Sequence, residues 1–183
     1  MAQINLTGIA RTFQQIRLFP ELSCFQNTLL GRHHIEREPW YISMFGSGEQ
    51  KSKIARERSL EILDFVGLYG HRNTLAKNLS YGNQRKLEIA RALATNPKLL
   101  LLDEPVAGMN PAESEEVVVL LRELKKTGLT IILVEHSMNV VMNITEYIVV
   151  LDRGSIIATG SPKEILSNEQ VIEAYLGKKG GRQ

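Results

Sequence analysis

The chain of 183 residues is 43% apolar and 23% charged, which fits one globular domain with a sizeable core and excludes disorder as its default state. A single cysteine, Cys24, excludes an internal disulfide and a cysteine-rich metal site and favours a reducing compartment. The net charge of +2 divides into +6 on residues 1–98 (14 Lys and Arg against 8 Asp and Glu) and −4 on residues 99–183 (8 against 12); no basic-aromatic motif accompanies the basic half, so its charges read as solvated helix faces rather than a nucleic-acid surface.

In chain order, MAQINLTGIARTFQ lacks the charged-then-apolar pattern of a secretory signal. ELSCFQNTLLGRHH predicts a helix with Ser23 as N-cap and Arg32, His33 and His34 at its C-terminus. EPWYISMFGSGEQKS reads as a loop or broken segment. KSKIARERSLEILDFVGL is an amphipathic helix with Ala55, Ser59, Ile62 and Val66 on one stripe and Gly67 as its stop. Ser80, Tyr81 and Gly82 form a turn, followed by a helix with Leu87, Ala90 and Ala94 on one face.

The rhythm then changes. The strand KLLLLDE leads to the helix PAESEEVVVLLRELKKTG, then come the strand LTIILVEH, the helix SMNVVMNI, the strands EYIVVLDRG and SIIATG, and a helical stretch over SPKEILSNEQVIEAYLG. Strands alternating with helices predict an α/β fold with a mostly parallel sheet, and continuous apolar strands predict burial on both faces. The apolar runs are far too short to span a bilayer. Ligands of such sheets sit outside the carboxyl ends of the strands, and two strands here end in acids, so the site is expected there.

Asp103 and Glu104 close a buried strand: the first acid suits Mg²⁺, which takes few protein oxygens, and the second suits orienting or deprotonating a water. An N-capping role for the acids is the plain alternative. The turn at Ser80–Gly82 offers backbone N–H groups and a hydroxyl to an anion such as phosphate, against simple capping by Ser80. His33, His34 and His71 have no matching ligand set and read as surface residues. Trp40 and Tyr41 read as packing in the helical region, and Cys24 as a small core residue.

Together these words resemble the nucleotide-binding subunit of ATP-binding cassette (ABC) transporters. LSYGN matches the LSGGQ signature with Tyr81 and Asn83 as departures, LLLLDEP the Walker B strand, AGMNP the D-loop with Asn110, and ILVEHSM the switch-histidine segment with His136. ARTFQ matches the segment ending in the Q-loop glutamine, Gln14. GIARTFQQIRLFPELS, the signature-to-D-loop run and VIEAYLG are similar to the ATPase subunits of branched-chain amino-acid importers, in which the signature tyrosine is usual. The resemblance implies a partial P-loop NTPase core with an inserted α-helical subdomain: a core remnant at 1–15, the helical subdomain at 16–79, the signature helix and RecA-like core at 80–176, and a loose tail at 177–183. It implies ATP and Mg²⁺ as cofactors. Asp103, with Gln14, would meet the metal, and Glu104 the attacking water. His136 would meet the γ-phosphate. Ser80, Tyr81, Gly82, Asn83 and Asn110 would be nucleotide-binding, with Ser80 and Gly82 closing over the γ-phosphate held by a second ABC subunit, identical or different. It further implies membrane permease subunits, a solute-binding protein acting indirectly, no nucleic acid, and a peripheral place on the cytoplasmic face of the plasma membrane.

The 183 residues contain no G-x-x-x-x-G-K-[ST] phosphate loop. GSGEQKS at 46–52 has Gln50 where the loop needs glycine, lies after Gln14, and reads as a flexible loop. The expectation is a chain that starts just before the Q-loop and does not hold its own ATP alone. The alternatives are a non-hydrolytic module lending its signature to a partner ATPase, or a soluble ABC protein acting on nucleic acid.

Overall fold

A computed structural model describes residues 8–32 and 47–176, which fall into two compact units divided between Val134 and Glu135. The first unit holds strand β1 (Ile9–Arg11), helices α1 (Cys24–Arg32), α2 (Ser47–Phe65) and α3 (Tyr81–Leu93), strand β2 (Leu99–Asp103), helix α4 (Pro111–Lys126) and strand β3 (Thr130–Val134). Its sheet is parallel throughout, in the order β1-β2-β3, with Arg11 opposite Leu101 and Asp103 opposite Val134. The α/β fold with a parallel sheet is therefore as the sequence predicts.

The helices start and stop where their end chemistry dictates. At the head of α1 the Ser23 hydroxyl accepts from the Gln26 N–H at 3.2 Å, and the Gln26 side chain accepts from the Ser23 N–H at 2.9 Å, a reciprocal capping box. Helix α2 ends at Gly67 with φ +75°: the Leu68 N–H reaches the Leu63 carbonyl at 2.7 Å and the Gly67 N–H reaches Asp64 at 2.9 Å, the paired bonds of a Schellman stop. Of the predicted stripe, Ala55, Ser59 and Val66 are buried beside Leu63, and Ile62 is half-buried at its edge. Helix α2 starts at Ser47, so residues 47–52 are helical rather than the loop read from GSGEQKS. Glu49, Gln50 and Lys51 are good helix formers, and their propensity outweighs the two nearby glycines. His33, His34, Trp40 and Tyr41 lie outside the described residues.

Helix α3 packs against α1, α2, α4 and β1 and is the centre of this unit. Leu87, Ile89, Ala90 and Ala94 are fully buried on it, and Cys24 is buried on α1. Gly31 lets α1 approach: a Cβ there would lie 2.4 Å from the Arg91 carbonyl oxygen. The expectation of strands buried on both faces is corrected. Leu100 and Leu102 of β2 are inside, but Ile132 and Val134 of β3 are 49% and 59% exposed. Successive strand residues point to opposite faces, and Ile131 and Leu133 on the other face of β3 are half-buried.

The second unit holds α5 (Met138–Ile144), strands β4 (Ile148–Asp152) and β5 (Ser155–Gly160), and helices α6 (Pro162–Leu166) and α7 (Glu169–Leu176). β4 and β5 form an antiparallel hairpin across Arg153 and Gly154, both at positive φ, as a two-residue turn between right-twisting strands requires. A capping box opens α6: the Glu164 carboxylate accepts from the Ser161 N–H at 2.7 Å and from its hydroxyl at 2.8 Å. Those bonds, the backbone one first, hold the Glu164 carboxyl below the ordinary glutamate value. The stabilisation is therefore present above that value and is lost as pH falls through Glu164's own lowered titration. A carboxyl-detected NMR titration should show Glu164 with the depressed midpoint and the Ser161 amide losing exchange protection over the same range; a midpoint at the ordinary value would refute it.

Candidate functional site

The parallel pairing of β1 with β2 carries the chain from Arg11 along the carboxyl end of β2, where the Thr12 N–H bonds the Leu101 carbonyl at 3.0 Å. This brings Gln14 to Glu104, and the Gln14 Nε2 donates to Glu104 Oε2 at 2.9 Å across 90 residues of sequence. Glu104 sits just past the strand in the left-handed region, φ +45°, with its N–H on the Val134 carbonyl at 2.9 Å and its own carbonyl accepting from Ala107 at 3.1 Å. Asp103, its neighbour, accepts from Arg11 Nη2 at 3.1 Å, with the two side chains 29% and 54% exposed. Arg11 and Arg17 both lie over the Phe13 ring, at 5.3 and 4.4 Å from its centroid, which aligns this segment between two cations.

Ser80 is the N-cap of α3, its hydroxyl accepting from the Asn83 N–H at 3.3 Å. The Gly82 N–H donates to Glu113 Oε1 at 3.3 Å, and a Cβ on Gly82 would lie 3.0 Å from that carboxylate. Glu113 also takes the Asn110 Nδ2 at 3.0 Å, and Asn110 in turn caps α4 through the Glu113 N–H at 3.0 Å. Tyr81 and Gly82 are thus the first two residues of α3 rather than the turn expected from the sequence, because the Ser80 cap starts the helix there, and one carboxylate joins this helix head to the turn that follows β2. Tyr81 is 41% exposed and lies beside Gly108, whose φ of +76° lets the chain turn there.

In the second unit His136 presents a side chain that is 74% exposed. Its backbone is held from both sides: Glu135 Oε2 accepts from the N–H groups of His136 and Ser137 at 2.9 and 3.1 Å, and the Tyr175 hydroxyl donates to the His136 carbonyl at 3.1 Å. Among the described residues no group of three or more His, Cys, Asp or Glu side chains is placed to hold a metal ion. No helix among them is long and apolar enough to cross a membrane.

Of the residues singled out from the sequence, Gln14 and Glu104 meet directly, and Gly82 and Asn110 meet through Glu113. Sequence reasoning missed Arg11, Glu113, Tyr175 and Arg85. Arg85 is the sharpest case. The basic face of α3 reads as solvated, yet Arg85 is fully buried, because Glu88 one turn on pairs with it at 2.8 Å. The spacing of the two in QRKLE was the one local signal.

The profile of the ABC transporter family matches residues 2–107, and that of the branched-chain amino acid ATP-binding cassette transporter matches residues 155–180. The chain is similar to the high-affinity branched-chain amino acid transport ATP-binding protein LivG of Escherichia coli (strain K12), at 41% identity over 96% of this chain and 70% of that protein. It is also similar to BraF of Pseudomonas aeruginosa, at 38% over the same shares. Among solved structures, an ATP-binding cassette of an ABC transporter in its ADP conformation superposes with a TM-score of 0.77 at 33% identity, covering 97% of this chain and 71% of that one. A dimeric cassette in a post-hydrolysis state with ADP and Pi gives 0.67 at 31%, covering 84% and 62%.

Proposed function

The chain belongs to the ABC transporter family, in its branched-chain amino-acid group, and from that premise we propose that it is an ATP-binding, ATP-hydrolysing subunit, or a fragment of one, powering import of branched-chain amino acids, and that these 183 residues alone, without a phosphate loop, do not hold ATP. The 41% identity to LivG, sustained over 96% of the chain, carries this reading. The Gln14–Glu104 contact beside Asp103, at the carboxyl end of β2, supports the chemistry.

Asp103 fits Mg²⁺: it offers one partly open carboxylate at the sheet rim, and Mg²⁺ keeps most of its waters while taking one or two protein oxygens. Asp103 would hold the ion in exchange for Arg11, with Gln14 beside it, and the ion would supply charge neutralisation on the phosphates. Glu104 is the proton acceptor and orienter of the attacking water, and Gln14 fixes the position of its carboxylate. His136 would meet the terminal phosphate. Ser80, Tyr81, Gly82 and Asn83 meet a nucleotide held by a second ABC subunit, for which Glu113 must leave the Gly82 N–H. Asn110 fixes the adjoining turn. The dimeric relative supports pairing with a second cassette subunit. Permease subunits and a peripheral place at the cytoplasmic face of the membrane follow from the importer role. The transport relatives do not favour the lending-module or nucleic-acid alternatives.

The test is uptake. Cells lacking this gene should lose high-affinity uptake of labelled leucine, isoleucine and valine and regain it on complementation. Undiminished uptake in the null strain would overturn the reading.

A further inference from the structure

A guanidinium removed from water is costly unless its donors are paired. Arg85 of α3 is 0% exposed and Glu88 is 2% exposed. Arg85 Nη1 donates to Glu88 Oε2 at 2.8 Å and to the Phe13 carbonyl at 2.7 Å. Its Nη2 donates to the Gln14 carbonyl at 2.9 Å and to the Tyr81 hydroxyl at 3.4 Å, and only Nε is without a partner. Glu88 Oε1 accepts from the Arg17 N–H at 3.3 Å. These bonds bridge 71 or 72 residues and fall on a stretch, residues 12–19, that belongs to no helix or strand. The buried pair holds the middle of that stretch, at Phe13, Gln14 and Arg17, while Thr12 is held by Leu101 and Phe19 by Asn27.

Gln14 is the residue so held, and its side chain reaches Glu104. We infer that Arg85 is the positioning residue for this site: its planar fork on the Phe13 and Gln14 carbonyls sets the Gln14 amide on the Glu104 carboxylate. It thereby makes Gln14 move with the head of the same helix, Ser80 to Gly82. A shift of α3 against β2 then draws Gln14 away from Glu104. Arginine is needed because two adjacent carbonyls are met by two nitrogens in one plane, which a lysine ammonium does not reproduce. The catalytic meaning of the link rests on the function proposed above; the link itself does not.

The experiment is NMR on the isotopically labelled chain without nucleotide, so loss of the transport reading leaves it decisive. In the unmutated protein, hydrogen-bond couplings should connect the Arg85 Nη groups to the carbonyl carbons of Phe13 and Gln14; their absence would overturn the inference. Glu104→Gln should displace the Gln14 side-chain amide resonance. That response should vanish in an Arg85→Met/Glu88→Leu background, which removes both charges together, while the amides of Val117 and Leu121 keep their positions. If this background does not fold, Arg85→Lys takes its place and should reduce the response. A response of full size in either folded background would show that Gln14 finds Glu104 without Arg85.

Discussion

Glu104→Gln is expected to cut ATP turnover by about 10²- to 10⁴-fold, the usual worth of a positioned general base, in a cassette assembly where these residues stand behind a phosphate-binding loop. The substitution keeps the side chain's size. Gln14 Nε2, now 2.9 Å from Glu104 Oε2, still has an amide oxygen to donate to. What disappears is the capacity to take a proton from water. Nucleotide binding should therefore hold within several-fold while phosphate release collapses. Single-turnover phosphate release, measured beside ATP binding, separates the two. Equal release rates would remove Glu104 from the role given to it, and parallel loss of binding would point to a change of fold.

Gly31→Val should be the most damaging single change in the packing. A Cβ at Gly31 would lie 2.4 Å from the Arg91 carbonyl oxygen and 2.9 Å from the Ala94 Cβ. The first of these is helix backbone and cannot rotate aside, so α1 and α3 must separate. Overpacking of this kind costs about 1–3 kcal/mol or more, against which the better helix propensity of a non-glycine residue returns less than about 1 kcal/mol. For a chain of this size a net loss near 2 kcal/mol lowers the melting temperature by about 4–8 °C. Thermal unfolding followed by circular dichroism measures it. An unchanged midpoint would mean that the two helices do not cross at Gly31. Gly67→Val makes an instructive comparison, because nothing lies within 4 Å of a Cβ there and any cost comes from the positive φ alone.

What could be read from the sequence was local or periodic. The stripe Ala55–Ser59–Val66, the cap at Ser23, the stop at Gly67 and the strand into Asp103 each have their cause within a few residues, and the fold follows them. The helix start at Ser47 escaped because two glycines mask otherwise strong helix formers. The half-open face of β3 escaped because an apolar run does not say how many of its faces are covered. The contacts that join the site escaped for another reason. Arg85 to Phe13, Gln14 to Glu104 and Tyr175 to His136 bridge 72, 90 and 39 residues, and no local pattern records which partner a polar side chain will find. Arg85 in particular looks like any other cation on a polar helix until its burial is known.

The left-handed backbone at Glu104 bears on how this protein would respond to selection in the laboratory. A side chain in that region costs about 1–2 kcal/mol that glycine avoids. The hydrogen bond from Gln14 contributes about 0.5–1.5 kcal/mol, and the extra freedom of glycine in the unfolded chain costs about 0.5–1 kcal/mol. Glu104→Gly is therefore close to neutral for folding. A library screened only for heat resistance or expression would let the carboxylate drift out of the population unnoticed. Stabilising this protein by directed evolution needs a second screen that reads function at residue 104.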